Sequence, residues 1–261
     1  MADSIKKESN WLLKEKYGGV HGPVFLRDVE RLKKGEPVDY VIGFREFLDC
    51  KIDLSKKAFI PEAETEYWAE QAIGEIQKDG RASMRCLDMF AGSGCVGIAA
   101  LRHIPSARVD FAEKYKKFCL QIAINLKLNG MSGGRWRVFQ SNIFSAVRDS
   151  YDYIFANPPY VAPSRAHLVQ KSVVRWEPKQ ALFAEKNGLA LIETFLLRAK
   201  GHLNPGGRMY MEFDSWQKPA IERMVRRFGY GAYEFRKDQY KTWRYIAIDT
   251  NFIRNRREVL R

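Results

Sequence analysis

From Met84 onward, short apolar runs alternate with segments of helical spacing, and this alternation constrains the fold more than any other feature of the chain. Residues 84–89, 108–113, 136–140 and 151–156 read as strands, because each is short, apolar or aromatic, and bounded by turn residues. A helix runs from the turn Gly92-Ser93-Gly94 through Leu101, and another carries Tyr115, Phe118, Cys119, Ile122 and Leu126 at helical spacing. A later helix bears Leu189, Ile192, Leu196 and Ala199 and stops at Leu203-Asn204-Pro205-Gly206-Gly207, before a fifth strand over 208–213. After a helix around 221–228, residues 233–236 and 243–248 read as a closing antiparallel pair. Repeated strand-helix units of this kind imply an α/β fold, a Rossmann-like, doubly wound mixed sheet of seven strands with helices on both faces.

The chain before Met84 is less regular. Residues 1–45 offer two short helical faces, Trp11, Leu12 and Leu13, then Val24, Phe25, Val29 and Leu32, with Gly18, Gly19, Gly22 and Pro23 between them. This appendage is expected to be too small for a core of its own and to pack on the larger part. Residues 47–59 alternate loosely around Cys50, Ile52 and Leu54, which reads as a hairpin turning at Lys56-Lys57. A helix then places Trp68, Ala69, Ala72, Ile73 and Ile76 on one face, and Glu62, Glu64 and Glu66 near its start complement its dipole.

Composition narrows the partners. The formal net charge is +13, unevenly spread: residues 1–80 carry −3 and residues 81–261 carry +16, including Arg254, Arg256, Arg257 and Arg261 of the tail. A basic surface on that part favours nucleic acid, a ribosome or an acidic protein partner. The four cysteines form no C-x-x-C pair and the four histidines have no ligand spacing with them, so reduced thiols and no metal site are expected. No apolar run approaches membrane-spanning length and the first ten residues lack an apolar core, so a cytoplasmic protein without a membrane partner is expected, and a monomer.

Two motifs carry chemistry. The first is a nucleotide pattern: strand, glycine turn, helix, then an acid at the end of the next strand. Gly92 and Gly94 let the backbone approach a ligand, and Glu113 is placed to take both hydroxyls of a ribose. The turn is shorter in glycine than the dinucleotide fingerprint, which suits a smaller, cationic nucleoside. The second is Asn157-Pro158-Pro159-Tyr160, where proline ends an apolar strand and fixes a stiff loop. The carbonyls of Asn157 and Pro158 with the Asn157 carboxamide can accept both hydrogens of a planar NH2 group while the ring of Tyr160 covers its face. The two motifs converge at one edge of the sheet, and S-adenosylmethionine supplies the electrophile they call for, with S-adenosylhomocysteine as product. Asn142 lies where an adenine amino group would be, and Ile143 would pack on the ring.

With these motifs in place, the chain resembles the protein-(glutamine-N5) methyltransferases of peptide chain release factors, which are class I S-adenosylmethionine-dependent enzymes. The resemblance runs from about Leu32 to Ile248. It rests on the run from Gly35 to Gly43 with Phe47, on Ile60-Pro61 with Glu64-Thr65-Glu66, and on Leu87-Asp88 with Gly92-Ser93-Gly94. It continues through Glu113, Asn157-Pro158-Pro159-Tyr160, Glu177-Pro178 with Ala181-Leu182, Gly188-Leu189, Glu212 and Gln217. By that resemblance Phe90, Ala91, Gly92, Ser93, Gly94, Glu113, Asn142 and Ile143 line the cofactor, with Asn157 beside it. Asn157, Pro158, Pro159 and Tyr160 hold a glutamine amide, Asn157, Pro158 and Tyr160 being catalytic. The implied substrate is the Gly-Gly-Gln glutamine of a release factor, with RNA or ribosome contact through the basic surface. The implied division is a short N-terminal helical substrate-recognition region over 1–45 and a methyltransferase domain over 46–261. The chain has Glu62-Ala63 where the family usually has Arg-Pro.

The alternative is methylation of an exocyclic amine on a base in RNA or DNA, which the same loop serves once a base is flipped out. The basic surface and the form Phe90-Ala91-Gly92-Ser93-Gly94 favour it. A narrow opening flanked by Tyr160 and by the stiff Trp176 and Pro178 favours a threaded glutamine side chain.

Overall fold

A computed structural model describes residues 2–250. The tail arginines, Arg254, Arg256, Arg257 and Arg261, lie outside the described residues. Residues 84–89 show how the molecule is built: Met84 and Cys86 enter one apolar cluster, Leu87 and Met89 another, so this central strand is covered on both faces.

In chain order, α1 (Ala2–Tyr17), α2 (Pro23–Lys33) and α3 (Val38–Ile42) precede a hairpin of β1 (Phe44–Phe47) and β2 (Cys50–Asp53). Then α4 (Ala63–Lys78) leads into β3 (Met84–Met89), α5 (Cys95–His103), β4 (Ala107–Glu113), α6 (Lys116–Leu128) and β5 (Trp136–Gln140). The chain crosses back to lay β6 (Tyr151–Ala156) on the free side of β3, and short helices α7 (Lys171–Trp176), α8 (Lys179–Leu182) and α9 (Glu185–Gly188) follow. Next come α10 (Ala190–Ala199), β7 (Leu203–Glu212), α11 (Lys218–Arg227), β8 (Ala232–Lys237) and β9 (Trp243–Asp249). The sheet order is β5-β4-β3-β6-β7-β9-β8, parallel except for β9, which runs antiparallel to both neighbours.

Helices α4, α5 and α6 cover the face that carries Cys86, Phe111, Phe155 and Tyr210, through Trp68, Ile98 and Ile122. Helices α10 and α11 cover the face that carries Leu87, Ile154, Met211 and Ile246, through Phe195, Ile221 and Val225. Strand register then levels the carboxyl ends: Met89 pairs with both Ala112 and Ala156, and Ala156 pairs with Met211. The next residue in each segment is Phe90, Glu113, Asn157 or Glu212. These four emerge side by side where winding reverses between β3 and β6, the place at which open α/β sheets bind ligands.

Three expectations are corrected. The hairpin turns at Leu48-Asp49, with φ of 44° and 58°, and not at Lys56-Lys57. No Asn-Gly pair marks that turn; it is held by Glu66, which accepts from the Leu48 N–H at 2.9 Å, and by the His103 ring against the Leu48 carbonyl at 2.9 Å. The N-terminal helices have a small core of their own, Leu12, Phe25, Leu32, Val41 and Ile42, while Trp11 and Val24 point outward. Buried Asp28 ties that core together by accepting from Lys16, Tyr17 and Arg31, and Tyr40 joins it to the main body by donating to the Ala58 carbonyl at 2.7 Å. The fifth strand of the main sheet starts at Leu203 and not at 208, because a bulge absorbs Asn204-Pro205-Gly206-Gly207: Tyr151 pairs with Leu203, but Tyr153 pairs with Arg208.

Close packing of α5 on the sheet generates a stability test. A Cβ at Gly97 would lie 2.4 Å from Phe111 Cε1 and 3.0 Å from Asp88 Cβ. Phe111 is fully buried and has no room to yield, so Gly97→Ala is expected to destabilise the protein by about 1–3 kcal/mol. Urea unfolding measures this, and an unchanged midpoint would contradict the packing described.

Candidate active site

The levelled strand ends open into a cavity of about 720 Å³. Its wall on the β3 side is the turn Phe90-Ala91-Gly92-Ser93 with Glu113 and Tyr115. Phe90 has φ of 60° and Gly92 of 55°, a tight reversal that aims the Gly92 N–H at Glu113 Oε2 (3.0 Å), while Glu113 Oε1 accepts from the Tyr115 N–H (2.8 Å). Gly94 is set back from the wall at the start of α5 with φ of 80°, where a Cβ would press on Ile122 and Ile98. Behind the turn, the buried Asn125 donates to the Ser93 carbonyl at 2.9 Å.

After β5, Ser141 donates to the Ile143 carbonyl at 2.6 Å and holds Ile143 at φ 55°, a left-handed conformation that a β-branched residue adopts only under constraint. Ile143 is buried and Asn142 exposed, and both line the cavity.

Asn157-Pro158-Pro159-Tyr160 forms the opposite end of the cavity. Asn157 donates through Nδ2 to Thr65 Oγ1 at 3.1 Å, Thr65 donates to Glu212 Oε2 at 2.7 Å, and Trp68 Nε1 donates to the same oxygen at 2.6 Å. The Tyr160 hydroxyl donates to Glu212 Oε1 at 2.9 Å. The Tyr160 carbonyl accepts from Gln217 Nε2 at 2.9 Å, and it lies so close to Gly188 that a Cβ there would be 1.9 Å from the oxygen. Gly188, Gln217, Thr65 and Glu212 stand out in the sequence as parts of a resemblance, without roles; here they fix the two ends of the loop. Trp68 was legible only as a core residue of α4.

Trp176 and Pro178 do not flank the opening. Trp176 packs against the main core and Pro178 caps α8, because buried Glu177 between them is tied inward by the Ile60 N–H at 3.0 Å. The flank is instead Val169, Gln170 and Val173 with residues 180–183, closed back onto the loop by Val161 N–H to the Leu182 carbonyl (2.9 Å) and Ala184 N–H to the Val161 carbonyl (3.0 Å).

The cavity is rich in acidic side chains inside a cationic protein. Glu62, Glu64, Asp88, Glu113, Glu185 and Asp214 line it against Lys114 and Arg244. Burial pushes the Asp88 carboxyl up to about 8, against the one N–H it accepts from Gly97, and burial also raises Glu113 against its backbone donors. Glu62 rises to about 8, first through burial and then through the neighbouring Glu212, Glu64 and Glu177. A cluster of crowded carboxyls that resist ionisation gains by admitting a cation. S-adenosylmethionine, a nucleoside whose sulfonium and amino groups outweigh its carboxylate, fits the volume, the acid at the second strand end and this charge. Among the described residues, no cluster of His, Cys, Asp and Glu could hold a metal ion and no helix is long and apolar enough to cross a membrane.

Fold and site together define a class I methyltransferase. A family model described as the methyltransferase small domain matches residues 73–176. The release factor glutamine methyltransferase of Bordetella pertussis is 33% identical, covering 84% of this chain and 79% of that protein. That of Lactococcus lactis is 31% identical, covering 81% and 76%. The chain belongs to the release factor glutamine methyltransferase family. Among solved structures, a methyltransferase from Pyrococcus furiosus superposes with a TM-score of 0.55 at 18% identity, covering 78% of this chain and 90% of that one. The N-terminal domain of human METTL16 in complex with SAH does so at 0.56 and 15%, covering 78% and 77%; these two likenesses concern the fold.

The raised Glu62 carboxyl makes stability depend on pH. Unfolded, Glu62 loses its proton near its ordinary 4.5; folded, it keeps it to about 8. Between these values the unfolded state binds fewer protons, so stability from this site falls as pH rises through the window. Glu62→Gln is therefore expected to melt with the wild type at about pH 4 and increasingly above it from about pH 5 to 8. Calorimetric melting decides it; equal melting at about pH 8 would contradict the assignment.

Proposed function

We propose that this chain transfers a methyl group from S-adenosylmethionine to the side-chain amide nitrogen (N5) of a glutamine, the Gly-Gly-Gln glutamine of a peptide chain release factor. The observation that carries this reading is that the glycine turn, Glu113 and Asn157 end on one row of the sheet and share one cavity. Residues 90–93 lie along the amino-acid half of the cofactor with Gly94 behind them, Glu113 takes the ribose hydroxyls, and Asn142 and Ile143 meet the adenine. When bound, the cofactor supplies an electrophilic methyl on a positively charged sulfur.

The protein's own task is to make an unreactive amide nitrogen available. That nitrogen's lone pair is delocalised into its carbonyl. The Asn157 carboxamide oxygen and the Pro158 carbonyl take the two N–H hydrogens, Pro159 stiffens the loop, and Tyr160 covers the plane of the group. The loop reaches this arrangement before substrate arrives, since its prolines and its bonds to Thr65, Glu212 and Gln217 hold it. Acidic side chains outnumber Lys114 and Arg244 along the cavity and offer a phosphate few partners, which favours a protein side chain over a flipped nucleotide. Residues 1–45 act as the substrate-recognition region and residues 46–261 as the methyltransferase domain. Exposed Lys171, Arg175 and Lys179 near the opening favour a contact with RNA or the ribosome outside the chemical site.

Two experiments test this. Purified enzyme is expected to transfer labelled methyl to a release factor carrying Gly-Gly-Gln and not to the same factor with that glutamine changed to alanine. Total RNA and DNA are expected to stay unlabelled even at low salt, where attraction to basic surfaces is strongest. Label in nucleic acid with a blank release factor would establish the base-methylating alternative. For the cofactor, Glu113→Ala is expected to weaken binding by about 2–4 kcal/mol, from the loss of two hydrogen bonds to a charged group. An affinity by calorimetry within twofold of the wild type would remove Glu113 from the site.

A further inference from the structure

Asn157 assists a reacting NH2 only if its carboxamide oxygen faces it, and a carboxamide turned by half a rotation would present its own NH2 instead. The loop itself does not choose between the two; the choice is made behind it. Glu212 Oε2 accepts from Trp68 Nε1 at 2.6 Å and from Thr65 Oγ1 at 2.7 Å. Both donors point at Oε2, so Oε2 is the unprotonated oxygen of the carboxyl, and any proton the group holds sits on Oε1. Thr65 has one hydroxyl hydrogen, and it lies on Oε2. Towards Asn157, then, Thr65 offers lone pairs alone, and it takes the Nδ2 end at 3.1 Å. The opposite orientation would set the Asn157 oxygen against those lone pairs with no hydrogen between them.

We propose that Thr65, backed by Glu212 and Trp68, is a positioning residue that fixes the polarity of the Asn157 carboxamide and so keeps its oxygen aimed at the substrate nitrogen. This rests on the reading of Asn157 as the group that holds the amide. Thr65 is buried and sits in the first turn of α4, whose inner face also carries Trp68. One helix therefore supplies both the donor that orients Oε2 and the hydroxyl that reads that orientation. Tyr160 donates to the other oxygen of Glu212, so both ends of the loop are referred to the same carboxyl.

The test uses Thr65→Val, which keeps the shape and removes the hydroxyl, and Thr65→Ser, which keeps the hydroxyl. With the full chain and its release-factor substrate, Thr65→Val is expected to lower kcat 10- to 100-fold while KM and cofactor affinity stay within about twofold. Thr65→Ser is expected to retain at least half of the wild-type kcat. A Thr65→Val enzyme within twofold of wild type would overturn the proposal. So would a Thr65→Ser enzyme as slow as Thr65→Val while folded and binding cofactor, since the methyl group would then matter and the hydroxyl would not. A second readout needs no substrate: the Asn157 side-chain NH2 resonances in 15N-edited NMR spectra. They are expected to shift in Thr65→Val and to stay in place in Thr65→Ser; resonances unmoved in Thr65→Val would overturn the proposal even if glutamine proves to be the wrong substrate. Failure of the wild type to label any glutamine, with the NMR shift present, would instead sink the functional reading alone.

Discussion

The buried carboxyl of Glu212 is the point on which this structure turns. It is fully buried, and removing such a group from water costs several kcal/mol if it is left alone. Three donors offset this, the Thr65 hydroxyl, the Trp68 indole and the Tyr160 hydroxyl, each charge-assisted bond contributing about 1.5–3 kcal/mol when the carboxyl is ionised. Burial holds the group above the ordinary carboxylate range, with Thr65, Trp68, Arg244 and Tyr160 pulling the other way. Arg244 gives its Nε to Asp238, so Glu212 is stabilised by neutral donors more than by an ion pair. Those donors come from α4 and from the loop after β6, while Glu212 itself ends β7. Secondary-structure elements far apart in sequence are thereby locked into one arrangement, and the proposed reacting loop is one of them.

Electrostatics divide the molecule into an acidic interior site and a basic exterior. Asp88, Glu62 and Glu113 crowd into one cavity, where each resists ionisation through burial, and residues 81–261 as a whole carry +16. Such a division admits a cationic ligand to the cavity and holds anionic polymers at the rim. A basic surface alone suggests nucleic acid; the acidic side chains that line the cavity point the other way.

Much of this was legible in the sequence, for reasons particular to each element. Strands β3, β5 and β6 show their limits because their apolar runs are bounded by glycine, proline or charged residues, and α4 shows its inner face because Trp68, Ala72 and Ile76 recur at helical spacing. Asn157-Pro158-Pro159-Tyr160 stands out because two prolines after a buried strand have few uses. The Leu48-Asp49 turn was hidden because contacts from Glu66 and His103, distant in sequence, stabilise it. The small N-terminal core was hidden because Asp28, a charged residue, lies at its centre with three partners. Glu212 is visible as the acid that ends an apolar strand, but its meaning depends on register: only when Ala156 is paired with Met211 does Glu212 stand beside Asn157. The inward course of Trp176 follows from Glu177 and Ile60, a contact no local pattern contains.

The central claim is that a rigid, pre-formed loop holds a primary carboxamide at the carboxyl end of β6, facing the methyl donor. A crystal structure of the protein with S-adenosylhomocysteine and a Gly-Gly-Gln peptide measures this most directly. The expected result is a glutamine NH2 within about 3 Å of both Asn157 Oδ1 and the Pro158 carbonyl, with the Asn157 to Thr65 bond unchanged. A glutamine bound elsewhere in the cavity, or an Asn157 carboxamide turned so that its own NH2 faces the peptide, would contradict it.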